Sequence, residues 1–150
     1  MSTPSLTHTY FGSTLVAGSA LTEATNGGYA TLMQTISLTT TADGLAVSGS
    51  IVIPANSQIV NFLVDTLVAP VGGTATTAPI TIGTAAAGTQ YLSSTDCYTA
   101  GRTALSFTAA QLTSMSNVST NTSVFATVDP NGTVVTTQGV FLVTVVYAMK

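Results

Sequence analysis

Period-two alternation of apolar and polar residues runs through most of this chain. From Ala30 onward, Leu32, Ile36 and Leu38 fall on one face and Thr31, Thr35 and Ser37 on the other. Leu45, Val47, Ile51 and Ile53 then alternate with Ala46, Ser48 and Ser50. Between the two runs lies Thr41-Ala42-Asp43-Gly44, a turn sequence whose glycine tolerates positive φ. The pattern predicts a β-hairpin over residues 29–53.

Pro54-Ala55-Asn56 breaks this run, and residues 58–69 predict a third strand with Val60, Phe62, Val64 and Val68 inward. Ala69-Pro70-Val71-Gly72-Gly73 turns the chain, and residues 75–83 return as a fourth strand anchored by Ile80 and Ile82. Residues 84–103 are small, polar and glycine-containing, which predicts a long loop with a short strand at Gln90–Leu92. The one helical candidate is 108–116, with Thr108 as its N-cap.

Residues 122–128 and 133–148 flank Asp129-Pro130-Asn131-Gly132 and predict a second hairpin. Its last strand, Gly139 to Tyr147, is apolar on both faces, as expected of a central strand covered on both sides. A second subunit is the expected outer cover. Strands of this length, regular turn signals and almost no helix predict an all-β protein. The expected architecture is an antiparallel β-sandwich, jelly-roll or Greek-key-like, spanning residues 29–150. Residues 1–28 form an irregular N-terminal arm, in which Thr7 to Phe11 could add an edge strand and 18–28 read as a loop.

Charge changes the picture. The chain has 150 residues but only two bases and five acids, so 5% of it is charged, against about 25% in ordinary domains. Thr and Ser supply about three residues in ten instead. Such a chain lacks the groups most catalytic designs need, and it lacks the charged coat that keeps small proteins apart. Both facts point to a subunit packed against other subunits. Two bases cannot form a phosphate-neutralising patch, so no nucleic-acid partner is expected. The longest apolar run, Val140 to Met149, is too short for a helix spanning a bilayer, and no membrane partner is expected. The opening Met1-Ser2-Thr3-Pro4-Ser5 has no basic or apolar signal-peptide region, so synthesis in a cytoplasm is expected.

Candidate chemistry is sparse. His8 is the single histidine, with no second histidine or adjacent carboxylate, and reads as an exposed residue on an edge strand. Cys97 lies between Asp96 and Arg102, and a nearby cation could activate a thiol. No base partner is evident, and Cys97 reads as a small buried filler. Asp96 and Arg102 are expected to form a loop clamp or, preferably, an intersubunit ion pair, because Arg102 is the only strong base before Lys150. The acids are too dispersed for a calcium site. The expectation is no catalytic residue, no metal ligand and no cofactor.

One series of segments carries a resemblance. Ile53-Pro54-Ala55-Asn56-Ser57-Gln58-Ile59-Val60 is followed by Ile80-Thr81-Ile82-Gly83-Thr84, then Gly88-Thr89-Gln90-Tyr91-Leu92-Ser93, and finally Gly139 to Tyr147. It resembles the small all-β virion proteins of tailed bacteriophages that decorate, or cement, capsids. The resemblance covers about residues 50–148 and leaves out the N-terminal segment. It implies a jelly roll or β-sandwich, the major capsid protein as partner, a homotrimer or other homo-oligomer, and a place on the capsid surface of the virion. The rival expectations are a tail, neck or head-fibre component, a lectin-like or adhesin module, and an enzyme.

Overall fold

The computed structural model describes residues 7–10, 13–16, 30–116, 118–134 and 136–149. Two short strands, β1 (Thr7–Tyr10) and β2 (Ser13–Val16), pair antiparallel with each other. The predicted edge strand at Thr7–Phe11 corresponds to β1, which therefore belongs to a two-stranded sheet of its own. The predicted loop at 18–28 lies outside the described residues.

Eight further strands form the body: β3 (Ala30–Thr39), β4 (Val47–Ile53), β5 (Ser57–Val68), β6 (Pro79–Gly83), β7 (Leu92–Asp96), β8 (Gly101–Thr103), β9 (Thr122–Val128) and β10 (Val140–Met149). They make two antiparallel sheets, in the orders β3-β10-β5-β8 and β4-β9-β6-β7. The core is built from both: Ile36, Leu38, Phe62, Val64, Phe141, Val143 and Val145 from the first, and Ile53, Ile80, Ile82, Leu92, Val124 and Val128 from the second. The protein is an all-β sandwich.

The pairings are nested. β3 pairs with β10, β4 with β9, β5 with β8 and β6 with β7. The chain folds back on itself between β6 and β7, and the resulting ribbon rolls up until β5 meets β10 and β6 meets β9. This is the strand order of a jelly roll.

That topology corrects both predicted hairpins. β3 and β4 lie in different sheets, and so do β9 and β10. Alternation reports only that one face of a strand is buried, and facing a strand across a core satisfies it as well as lying beside one. Gly49 shows the contact directly: a Cβ there would lie 2.6 Å from Ile36 Cγ2 and 3.1 Å from Leu38 Cδ2. β4 thus packs onto β3 instead of bonding to it. The turn glycine has the expected role, since Gly44 takes φ 72° and lies against the Gly132 backbone, with no room for a side chain.

β5 corrects a second expectation. Ile59 pairs with Tyr147 and Asn61 with Val146, which leaves Val60 as the extra residue of a bulge. Leu67 is likewise extra between Thr66 and Val68. Each bulge shifts the alternation by one residue. The inward side chains are therefore Ile59, Phe62, Val64 and Thr66, while Val60 and Val68 are exposed. Ile80 and Ile82 are fully buried, as predicted. The long loop over 84–103 contains two short strands, β7 and β8, with β7 beginning at Leu92 where the predicted strand would end.

One helix, α1 (Ala109–Met115), occupies the predicted position. Thr108 is its N-cap, and a capping box links Thr108 and Gln111 in both directions. No helix among the described residues is long and apolar enough to cross a membrane.

Candidate functional site

β10 lies between β3 and β5, the central position predicted for it. Phe141, Val143, Val145 and Tyr147 point into the sandwich. Leu142, Thr144 and Val146 alternate with them on the outer face, opposite Ser37, Thr35 and Met33 of β3. Thr35 and Thr144 join their hydroxyls at 3.0 Å. Across β3 and β10 this outer face is made of short hydroxyls and aliphatic side chains, and its charge lies on the β5–β8 side, beginning at Asp65 opposite Leu142.

That charge is Arg102 with Asp65. The register of β8 on β5 sets the two residues opposite each other. Arg102 Nε donates to Asp65 Oδ1 at 2.8 Å and Nη2 to Oδ2 at 2.9 Å. The guanidinium hydrogen bonds hold the Asp65 carboxyl below its ordinary pKa and raise that of Arg102 in turn. Asp96 does not clamp Arg102 within the chain: its Oδ1 accepts from the backbone N–H of Ala78 at 2.8 Å and of Tyr98 at 3.1 Å. Ladder pairing brings Arg102 to Asp65, a residue distant in sequence, and this outweighs the sequence proximity of Asp96. An intersubunit pairing of Asp96 with Arg102 would require both groups to add to contacts they already hold.

Cys97 is buried, and burial pushes its thiol above the ordinary cysteine pKa. A nucleophilic cysteine needs the opposite shift. Its backbone ties two sheets together, since the Cys97 N–H donates to Ala78 O and Thr66 Oγ1 donates to Cys97 O at 2.7 Å. His8 lies on β1, with Leu15 as its register partner. Among the described residues, no group of three or more His, Cys, Asp or Glu side chains is placed to hold a metal ion.

Two surfaces were not foreseen from the sequence. At one end of the sandwich, three loops are knitted by backbone bonds: Thr40 N–H to Gly139 O, Val134 N–H to Ala42 O, Val71 N–H to Thr137 O, and Ala75 N–H to Thr133 O. This ordered end leaves Leu45 and Val71 half or more exposed, with the bulge residue Leu67 beside it. The second surface is the side where, among the described residues, β3 and β4 form the free edges of the two sheets, with Met33 and Val52 exposed. The clue in the sequence was the scarcity of charge around these aliphatic residues.

The arrangement supplies neutral hydrogen bonds and apolar contact area, with the one ion pair among the described residues to one side. No family model matches the chain, and neither the curated proteins nor the solved structures contain a significant match to it.

Proposed function

We propose that this protein is a structural virion subunit that decorates and stabilises a bacteriophage capsid, without catalysis. The observation that carries the reading is the surface: Met33, Leu45, Leu67 and Val71 are half or more exposed on a sandwich with almost no charge. Aliphatic side chains on a rigid scaffold suit a permanent contact with another protein. Neutral hydroxyls suit it too, because they form hydrogen bonds without the cost of desolvating ions. The jelly-roll order agrees with what the sequence resemblance implies. The partner is the major capsid protein, and copies associate as a homotrimer or another homo-oligomer on the outer shell. Multivalent attachment to a lattice strengthens each weak contact.

The test is to mix purified protein with expanded phage heads that lack it and to image the particles by cryo-electron microscopy. Density at regular lattice positions, with a raised melting temperature of the heads, is the expected result. Density confined to tails or necks would favour the fibre reading, and binding to glycans in place of heads would favour a lectin.

A further inference from the structure

The two sides of the sandwich treat their free edges differently. On one side, β8 has three residues and carries Arg102, while β7 has five, ends at Asp96 and is irregular against β6. Shortness, charge and irregularity are the usual means by which sheets discourage the addition of another strand.

β3 has none of these. It runs for ten residues, ATLMQTISLT, with no charge and no proline, and its register with β10 is unbroken from Ala30 to Thr39. The Thr40 N–H donates to Gly139 O at 2.9 Å. Antiparallel ladder bonds alternate, so even-numbered residues of β3 bond towards β10. The N–H and C=O groups of Thr31, Met33, Thr35, Ser37 and Thr39 then point away from it. Among the described residues, β3 is the last strand of its sheet on that side, and β1 and β2 pair with each other. Met33 is 65% exposed and Leu32 40%.

We propose that a second copy of this chain adds to this edge, β3 against β3, antiparallel and centred on Thr35. A two-fold axis at Thr35 sets Thr31 opposite Thr39 and Met33 opposite Ser37, so every outward residue gains a partner. Roughly ten ladder hydrogen bonds result, and two four-stranded sheets become one continuous sheet. A second copy fits because the strand is complementary to itself: it is uncharged, so its own image brings no like-charge pair across the ladder, and a two-fold contact uses the same patch on both subunits. The inference rests on the self-association in the proposed function and is tested in solution without capsids, so its failure and a failure of capsid binding are distinguishable.

The experiment is sedimentation of the full chain at tens of micromolar, beside Thr35→Pro and Thr35→Lys. The Thr35 N–H faces outward, so proline there removes an intersubunit donor and no bond to β10. Thr35→Lys sets two like charges opposite each other at the two-fold axis without touching the backbone, and decides the matter if the proline variant fails to fold. The expected result is a wild-type dimer and monomeric variants with unchanged far-UV circular dichroism. A monomeric or trimeric wild type, or a dimer that Thr35→Lys leaves intact, would overturn the proposal. Register is read separately: under mild oxidation Thr35→Cys should cross-link to its own copy and Ser37→Cys should not, and the reverse would overturn the Thr35 centre.

Discussion

Gly49 of β4 lies directly over Ile36 of β3, so close that a Cβ on the glycine would come within 2.6 Å of Ile36 Cγ2. Ile36 is buried and branched at Cβ, so the methyl group has little room to withdraw. Gly49→Ala is expected to lower stability by about 1–3 kcal/mol, the usual cost of overpacking a core. Ile36→Ala removes the obstructing methyl, so the double variant should be more stable than the sum of the single losses implies. Urea denaturation of the four proteins measures this; strict additivity would mean the two residues do not meet.

The Asp65–Arg102 pair predicts a pH dependence of definite sign. The Arg102 hydrogen bonds depress the Asp65 carboxyl below its ordinary value of 3.8. The pair's contribution is therefore complete above that value and is lost as pH falls through the lower folded-state pKa. Both groups reach solvent, so the effect on melting near neutral pH should be small and should shrink with salt. In a titration followed by NMR, Arg102→Gln should return the Asp65 pKa towards its ordinary value. An unchanged Asp65 titration would show that the pair does not persist in solution.

The Cys97 thiol should be inert in the folded protein. It is buried, and burial holds it protonated at neutral pH. A thiol-specific chromogenic reagent is expected to label it only after unfolding, so labelling should rise with denaturant along the same curve as the loss of structure. Rapid labelling under native conditions would contradict the packing described here.

Helix α1 depends on its cap. Thr108 Oγ1 accepts from the Gln111 N–H, and Gln111 Oε1 accepts from the Thr108 N–H at 2.8 Å. Thr108→Ala should cost about 1 kcal/mol. Gln111 also donates through Nε2 to Ser93 Oγ at 2.9 Å, which ties the helix to β7. Gln111→Ala should therefore cost more than Thr108→Ala in the same denaturation assay. The reverse order would mean that the cap, and not the bridge to β7, holds the helix.

The class of fold was legible because alternation, turn residues and the absence of helical periodicity are local signals. Ile80, Ile82 and Thr108 stand where their neighbours in sequence predict. Partner choice was not legible, because it depends on residues far apart in the chain. Nothing around Val47 says that it will bond to Val128 and not to β3, and nothing around Arg102 names Asp65. The bulges at Val60 and Leu67 were hidden for a related reason: the apolar residues of β5 stand in adjacent groups, Ile59-Val60, Phe62-Leu63-Val64 and Leu67-Val68, so either neighbour could be the inward one and a one-residue shift leaves no mark on the pattern. Cys97 was legible as a filler, since no base accompanies it in sequence. The free edge at β3 needed the sheet order first, for a strand's neighbours decide whether its backbone is satisfied.

The nested pairing of strands has a consequence for how the protein is made. Each sheet draws two strands from the first half of the body and two from the second. As the chain leaves the ribosome, β3 to β6 emerge before any strand to which they bond. β10, which fills the gap between β3 and β5, arrives last of all. Folding of the sandwich must therefore wait until β10 has emerged and then proceed through contacts between distant residues, a slow route. During that interval the uncharged strands are exposed to one another on neighbouring nascent chains, and crowded synthesis favours mispairing between them. A protein with this ordering should be sensitive to the rate and temperature of its own expression, and loss of the final strand alone should leave β3 with no partner in its sheet.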